Sequence, residues 1–393
     1  MALQANPETA GAGASDAVRL CSDLVRIRSF NPPGDEAQVA NYCAQYLEGL
    51  GFEVRCLSHS DTRASVLARL PGTGEKPGLL ICSHIDTVPV GVEAWQHDPF
   101  GGEIVDGKLY GRGASDMKGG LSAALAAVKT IVNRPEPLKG DLWMGMTAGE
   151  EVDFLGAREI ARYRDELLPL QAILLPEPSD NKVYIAQKGA LWLEVTFFGK
   201  TAHGSMPLHG VNAVLLAVEF LNRLHQLAIP FTAHPLLGEF TLAPTMIKGG
   251  MKTNVIPDSC SVTIDMRTVP GQSSDAILDQ VGRLVNEITG ETPGASSVVR
   301  VLNNFDAVTT PADHPIVSAF CRAASRVTGS QPAVAGVNFF TDSAVLTPAL
   351  NVPMLICGPG KDELAHQPNE YVEVACLETC ARIYSEAILE YLG

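Results

Sequence analysis

Gly78-Leu-Leu-Ile-Cys-Ser-His-Ile-Asp86 is the stretch on which the fold turns. From Gly78 to Ser83 the run is short and nearly all apolar, with a polar exit, and it reads as a β-strand. Outward from it, similar apolar runs alternate with helical patterns. Asp141 to Thr147 and Ala172 to Leu175 read as further strands, and Gly119 to Asn133 as an Ala-rich helix. Ser15 to Leu50 reads as helical at both ends, broken by a turn at Asn31-Pro-Pro-Gly34. This alternation implies an α/β fold with a mixed, mostly parallel sheet covered by helices.

The middle of the chain is patterned differently. Leu191, Leu193, Val195 and Phe197 fall on one face of a half-exposed strand. A helix over Val211 to Leu227 follows, then strands over Phe240 to Lys248 and Cys260 to Arg267, a helix over Asp275 to Thr289 and a strand over Ser297 to Leu302. The order β-α-β-β-α-β is the split ferredoxin-like α+β unit. The expectation is a catalytic domain at residues 1–188 and 305–393, and an inserted domain at 189–304. Beyond the insertion the α/β pattern resumes, with a helix near His314, a strand near Val352 and a long helix near Tyr371.

Composition narrows the functional classes. A chain of 393 residues suggests about two or three domains. At 46% hydrophobic and 19% charged residues it has the makings of a buried core, not of a disordered segment. A formal net charge of −15 disfavours binding to nucleic acid or to an anionic membrane. The nine cysteines are odd in number and scattered, and Cys82 and Cys357 sit in apolar runs. They read as reduced thiols in a cytoplasmic protein, not as a disulfide framework. Residues 1–14 show no basic start followed by an apolar run, so no signal peptide is expected. No apolar stretch reaches the roughly 20 residues that a membrane-spanning helix needs.

The chemistry gathers where strands end. His84 and Asp86 follow the first strand quoted, Glu150 and Glu151 follow Leu142 to Thr147, and Glu177 follows Ile173 to Pro176. His366 lies in the loop after Pro353 to Cys357, and Asp116 sits just before the Ala-rich helix. In an open α/β sheet the carboxyl ends of the strands face the binding crevice, so these side chains aim at one place. Imidazole with carboxylate suits zinc, manganese or cobalt better than calcium or magnesium. Two histidines with three or four carboxylates exceed the about four ligands that one zinc takes. They suffice for two metals bridged by a shared carboxylate. Singly, each has an ordinary reading: a structural histidine for His84, an acidic helix start for Glu150-Glu151, plain loop for Glu177 and surface for His366. Their joint placement is what points to a metal site. The Gly111-Arg-Gly113 loop has Asp116 where a phosphate-binding loop needs its third glycine, and no Gly-x-Ser-x-Gly elbow occurs.

These residues resemble the metallopeptidase and amidohydrolase family of acetylornithine deacetylase, succinyl-diaminopimelate desuccinylase, aminoacylase and glutamate carboxypeptidase. The matching segments run from Ser83-His-Ile-Asp-Thr-Val-Pro89 to Ala365-His-Gln-Pro-Asn-Glu370 and, with the insertion, cover nearly the whole chain. The resemblance implies that His84 and Glu177 hold one metal and Glu151 and His366 the other. Asp116 would bridge them, with a cis peptide to Met117. Asp86 would orient His84, and Glu150 would be the general base and acid. The cofactor implied is a pair of divalent transition-metal ions, zinc foremost, with cobalt or manganese also suiting the ligands. In the insertion, Gly199-Lys-Thr-Ala-His203 resembles the segment whose histidine crosses a homodimer to the tetrahedral oxyanion. Asn254 and Arg267 resemble residues that bind the substrate carboxylate, a task for which the guanidinium fork is suited. The sequence departs from the family at Gly149, where an Asp is frequent, and at Asn338-Phe-Phe-Thr-Asp-Ser343, which no Arg follows.

The leading expectation is hydrolysis of a small N-acyl amino acid, with a dipeptidase or glutamate-carboxypeptidase-like activity on a short peptide as the alternative. An aminopeptidase would also need an acidic anchor for a free amine, and none can be placed. A non-catalytic metal-binding scaffold is the alternative of another class, and the complete ligand set with Glu150 argues against it.

Overall fold

The computed structural model describes residues 15–393. The reading of residues 1–14 as lacking a signal peptide lies outside them. The chain forms two compact units. Among the described residues, one comprises 15–186 together with Thr309–Gly336 and Thr341–Gly393, the other Gln187–Val308 and Val337–Phe340.

The first unit begins with α1 (Asp16–Arg26) and α2 (Ala37–Gly49), then β1 (Glu53–Ser58), β2 (Ala64–Leu70) and β3 (Gly78–His84). A small hairpin follows, β4 (Glu103–Val105) and β5 (Lys108–Tyr110), then α3 (Lys118–Val132) and β6 (Leu142–Thr147). The short helices α4 (Leu155–Ala161) and α5 (Arg164–Leu167) lead to β7 (Leu170–Leu175) and β8 (Val183–Gln187). The second unit supplies β9 (Gly189–Phe198), α6 (Ala213–Leu224), β10 (Thr241–Gly249), β11 (Ser259–Thr268), α7 (Ser274–Gly290) and β12 (Ser296–Phe305). The chain closes with β13 (Val308–Thr309), α8 (Pro315–Thr328), β14 (Val334–Val337), α9 (Ser343–Leu350), β15 (Met354–Ile356), β16 (Tyr371–Glu373) and α10 (Val374–Leu392).

The large sheet runs β1-β2-β6-β3-β7-β15-β8-β13, with β14 on β8. Its centre is parallel: β3 pairs with β6 and with β7, and β7 with β15, all in the same direction. All seven residues of β3 and all six of β6 are buried, as strands covered on both faces must be. The uninterrupted apolar run from Leu79 to Cys82 is the sequence signature of that burial. Because β6, β3, β7 and β15 are parallel neighbours, their carboxyl ends lie along one edge.

In the second unit the four-stranded sheet has the order β10-β11-β9-β12 and is antiparallel throughout. Counting its strands in chain order, this is the order 2-3-1-4. Leu191, Leu193, Val195 and Phe197 of β9 pack with Ile264 and Met266 of β11 and with Phe220 and Val281 of the two helices. The alternate residues, Trp192, Asp265 and Arg267 among them, therefore occupy the face away from that core.

All nine cysteines are unpaired, six of them buried. Among the described residues no helix is long and apolar enough to cross a membrane.

Candidate metal centre

Four parallel strands deliver the candidate ligands. His84 is the last residue of β3, Glu150 and Glu151 follow β6 after Ala148-Gly149, Glu177 follows β7 after Pro176, and His366 lies in the segment after β15. Asp116 comes from the turn ahead of α3, and its peptide to Met117 is cis. Gly120 explains how α3 reaches this edge: a Cβ there would lie 1.8 Å from the Pro176 carbonyl oxygen, so only glycine lets the helix lie against the segment carrying Glu177.

Two groups of potential ligand atoms converge, each with its atoms within 4.8 Å of one another: His84, Asp116 and Glu177, and Asp116, Glu151 and His366. Asp116 belongs to both. His84 Nε2 is 3.1 Å from Asp116 Oδ1 and 3.8 Å from Glu177 Oε2. His366 Nε2 is 3.1 Å from Glu151 Oε1 and 3.4 Å from Asp116 Oδ2.

The electrostatics demand positive charge. His84 Nδ1 lies 3.0 Å from the Asp86 carbonyl oxygen, so that nitrogen carries the hydrogen and donates it. Nε2 then faces two carboxylates with a lone pair, an arrangement that holds only with a proton or a cation between them. Burial works against a charged His84, yet Glu177 and Asp116 keep its pKa well above the usual value. Hydrogen bonds with Asp116 and Glu151 push His366 up to about 10. Burial works to raise Asp116, but His366 and His84 outweigh it and hold the carboxyl well below its usual range. Burial drives Glu150 and Glu177 well up, and Glu151 up as well. Asp116, Glu150, Glu151 and Glu177 bring up to four negative charges against at most two positive histidines. The mixed nitrogen and oxygen donors and this charge surplus fit two divalent transition ions.

Asp86 is fully buried, and its carboxylate takes a second task besides lying 3.6 Å from His84 Nδ1. It accepts the backbone N–H groups of Glu150 at 3.1 Å and Glu151 at 3.2 Å, and the Asn31 amide at 3.0 Å. One carboxylate thus fixes the backbone of the glutamate pair. Gly149, just before the pair, has φ +87°, and a Cβ there would lie 2.1 Å from Asp153 Oδ1. The positive φ is one that glycine adopts without strain.

Two buried acids escaped the sequence reading. Glu370 accepts N–H groups from Gly113 (3.1 Å), Ser115 (2.9 Å) and Asp116 (3.0 Å), and Arg112 Nη1 at 2.6 Å. The glycine loop that superficially suggests phosphate binding is therefore wrapped around an internal carboxylate. The signal was Arg112 itself, a charged residue between two glycines in need of a partner. Asp342, at the start of α9, is 1% exposed and bonds Thr147 at the end of β6. Nothing in the local pattern of Thr341-Asp342-Ser343 marks it as buried.

The remaining expected residues belong to the second unit. His203 and Asn254 are exposed and adjacent: Gly204 N–H donates to the Asn254 carbonyl oxygen at 2.8 Å, and His203 bridges to Val255. Arg267 lies toward the other end of β11 and is not brought to them.

The comparisons with known proteins agree with this geometry. The profile of peptidase family M20/M25/M40 matches residues 80–390. The chain belongs to that family. M20 relatives include a protein named acetylornithine deacetylase from Aliivibrio fischeri, 31% identical over 93% of this chain and 95% of its own. A probable succinyl-diaminopimelate desuccinylase of Staphylococcus epidermidis is 29% identical over 96% of this chain and 98% of its own. The fold matches the crystal structure of an M20 metallo-carboxypeptidase from Sulfolobus solfataricus, with TM-score 0.81 at 18% identity, covering 96% of this chain and 99% of that one. It also matches a dinuclear metal-binding M20 peptidase of Bacillus subtilis, with TM-score 0.73 at 18% identity, covering 96% and 97%. This M20 protein is thus a metal-dependent amidohydrolase or peptidase, as its ligand pattern implies.

Proposed function

We propose that the enzyme hydrolyses the amide bond of a small N-acyl amino acid, with Glu150 as general base and acid. The observation that carries the reading is the placement of Glu150, whose backbone N–H is held by Asp86 together with that of the candidate ligand Glu151. The Glu150 carboxyl is pushed up by burial beside both ligand groups and has no hydrogen-bond partner among the described residues. Such a carboxyl can take a proton from the attacking water and return it to the leaving nitrogen. His84 and Glu177 would hold one cation, Glu151 and His366 the other, and Asp116 both. Bound there, divalent ions supply Lewis acidity toward a carbonyl and a more acidic water. Zinc suits these ligands, as do cobalt and manganese.

His203 would serve the oxyanion. Its Nδ1 accepts the Ser205 N–H at 3.2 Å and contacts the Ser205 hydroxyl at 2.7 Å, which leaves Nε2 as the hydrogen-bearing nitrogen. That is the donor the role needs. Arg267, with Asn254 supplied by a second copy of the chain, would take the substrate carboxylate. A homodimer formed through the second unit is part of this reading. Its edge strand β10 exposes Met246 (48%) and Ile247 (52%), and α6 exposes Leu215 (64%), apolar surface that a partner chain would cover. Nine unpaired cysteines support a reducing, cytoplasmic setting.

The relatives named for desuccinylation and deacetylation favour an N-acyl amino acid over a dipeptide. The test is a hydrolysis screen of N-acetyl, N-succinyl and N-aromatic-acyl amino acids alongside dipeptides, using metal-loaded enzyme. Turnover concentrated in one N-acyl class is expected. Turnover of dipeptides alone would replace the deacylase reading with the exopeptidase one.

A further inference from the structure

Arg267 is held from one side only. Its Nε donates to Asp265 Oδ1 at 2.8 Å and its Nη2 to Oδ2 at 3.0 Å. A guanidinium has five N–H bonds, and this pairing uses two of them. The other three, two on Nη1 and one on Nη2, meet no acceptor among the described residues. The rings of Phe340 and Trp192 lie beside the group, their centroids 5.4 and 5.9 Å from Cζ. Asp265 and Arg267 stand two residues apart on β11, on the face away from the helix-packed core. One edge of the fork is fixed by the carboxylate, and the Nη1/Nη2 edge faces no acceptor among the described residues.

A second cation lies close to Arg267. Lys188 is 5% exposed, and its ammonium donates to the Glu239 carbonyl oxygen at 2.6 Å, a neutral partner. Burial lowers its pKa, and the positive charge of Arg267 lowers it further, so the two cations sense each other. Asp265 pairs with Arg267, and the Glu239 carboxylate works against the lowering of Lys188.

We propose that Asp265 is a positioning residue that locks Arg267 so that its Nη1/Nη2 edge meets a substrate carboxylate as a preformed fork. The proposal rests on the reading of Arg267 as the carboxylate-binding residue and adds how the side chain is made ready. An unclamped arginine must give up rotamer freedom on binding, whereas a clamped one has already done so.

The test compares the preferred N-acyl amino acid with its carboxamide on metal-loaded enzyme, in the wild type and in Asp265→Asn. Calorimetric binding of the free amino-acid product and of its amide gives a readout apart from turnover. The wild type should favour the carboxylate. Asp265→Asn should raise KM for the carboxylate about 2- to 12-fold, the range expected from freeing one long side chain. It should leave kcat and the carboxamide KM within about twofold, and product binding should weaken in parallel. Asp265→Glu, which keeps the charge but changes the reach, should show the same pattern and covers the case in which the Asn variant does not fold. If Asp265 only neutralises Arg267, removing its charge would tighten carboxylate binding, and a lowered KM overturns the proposal. A wild-type preference preserved unchanged in both variants overturns the clamp alone. A wild type indifferent to the carboxylate overturns the reading of Arg267 and the clamp with it.

Discussion

The hydroxyl of Thr147 has one hydrogen and two acceptors. Its Oγ1 is 3.2 Å from the Ser83 carbonyl oxygen and is also hydrogen-bonded to Asp342 Oδ2. The other carboxyl oxygen, Oδ1, is buried and has no partner among the described residues. A charged Asp342 would keep only the weak Cys82 thiol donor, 3.7 Å from Oδ2, when Thr147 donates to Ser83, and would leave Oδ1 bare, which is costly in a buried place. A neutral Asp342 closes the count: the acid donates to Thr147, and Thr147 donates to Ser83. Burial pushes Asp342 up to about 6, in the same direction.

This gives a stability prediction for the metal-free protein. With a folded pKa above the ordinary 3.8, Asp342 binds more protons folded than unfolded across that window. Its contribution is full below 3.8 and is lost as pH rises through about 6. The total is on the order of 3 kcal/mol, at about 1.36 kcal/mol per unit. Asp342→Asn cannot titrate, so its stability relative to wild type should rise between pH 4 and 7 by up to about that amount. Urea unfolding at several pH values measures it. A pH-independent difference would show that Asp342 is charged throughout.

The glutamate pair gives a second prediction. Asp86 holds both backbone N–H groups, so neither substitution should disturb the turn. Glu150→Gln should keep wild-type metal content and lose about 10²–10⁴-fold in turnover, because an amide cannot accept the water's proton. Glu151→Gln should weaken one of the two metals, since His366 loses its carboxylate neighbour at that site. Elemental analysis with steady-state kinetics separates the two. An exchange of these phenotypes would reverse the roles.

Protons compete with metal in this cluster. Hydrogen bonds with Asp116 and Glu151 raise His366 to about 10, so at neutral pH the metal-free protein holds a proton on this histidine. A metal must displace it, so binding releases protons and tightens as pH rises toward that value. Titration calorimetry in buffers of different ionisation enthalpy should report net proton release at pH 7, larger at pH 6 than at pH 9. Binding without proton release would mean that His366 is neutral or is not a ligand.

What the sequence could and could not reveal follows from how each residue earns its place. β3, β6 and β7 were legible because strands buried on both faces need uninterrupted apolar runs. The candidate site residues His84, Glu150, Glu151 and Glu177 were legible because they sit at the ends of those runs. β9 was legible through its period of two. By contrast β1, with exposed Glu53, Arg55 and Cys56, has too mixed a pattern to announce itself. Residues 337–340 pack with the second unit although nearly thirty residues separate them from β13, a return of the chain that periodicity does not encode. Glu370 and Asp342 owe their importance to partners 254 and 195 residues away, at Asp116 and Thr147. Local pattern is blind at that range.

The last prediction concerns a site shared between two chains. His203 lies in the second unit, and every proposed metal ligand lies in the first. Its Nδ1 is occupied as an acceptor from Ser205, so the ring presents Nε2–H, a donor suited to a developing oxyanion. Such a donor acts mainly in the transition state, and losing one costs about 10²–10³-fold in turnover. Asn254, joined to His203 through the Gly204 hydrogen bond, would come from the same chain as the histidine. A two-fold dimer is the commonest closed assembly, and β10 with α6 offers apolar surface for it. His203→Ala should therefore bind both metals, remain dimeric and be nearly inactive. Glu150→Gln should be inactive for a separate reason. In a mixed dimer, one site joins the intact Glu150 of one chain to the intact His203 of the other. Random exchange makes about half the dimers mixed, each with one whole site, so activity should recover to about one quarter of wild type. Exchange verified by mass spectrometry without recovery, or an active monomeric wild type, would remove His203 from the partner's site.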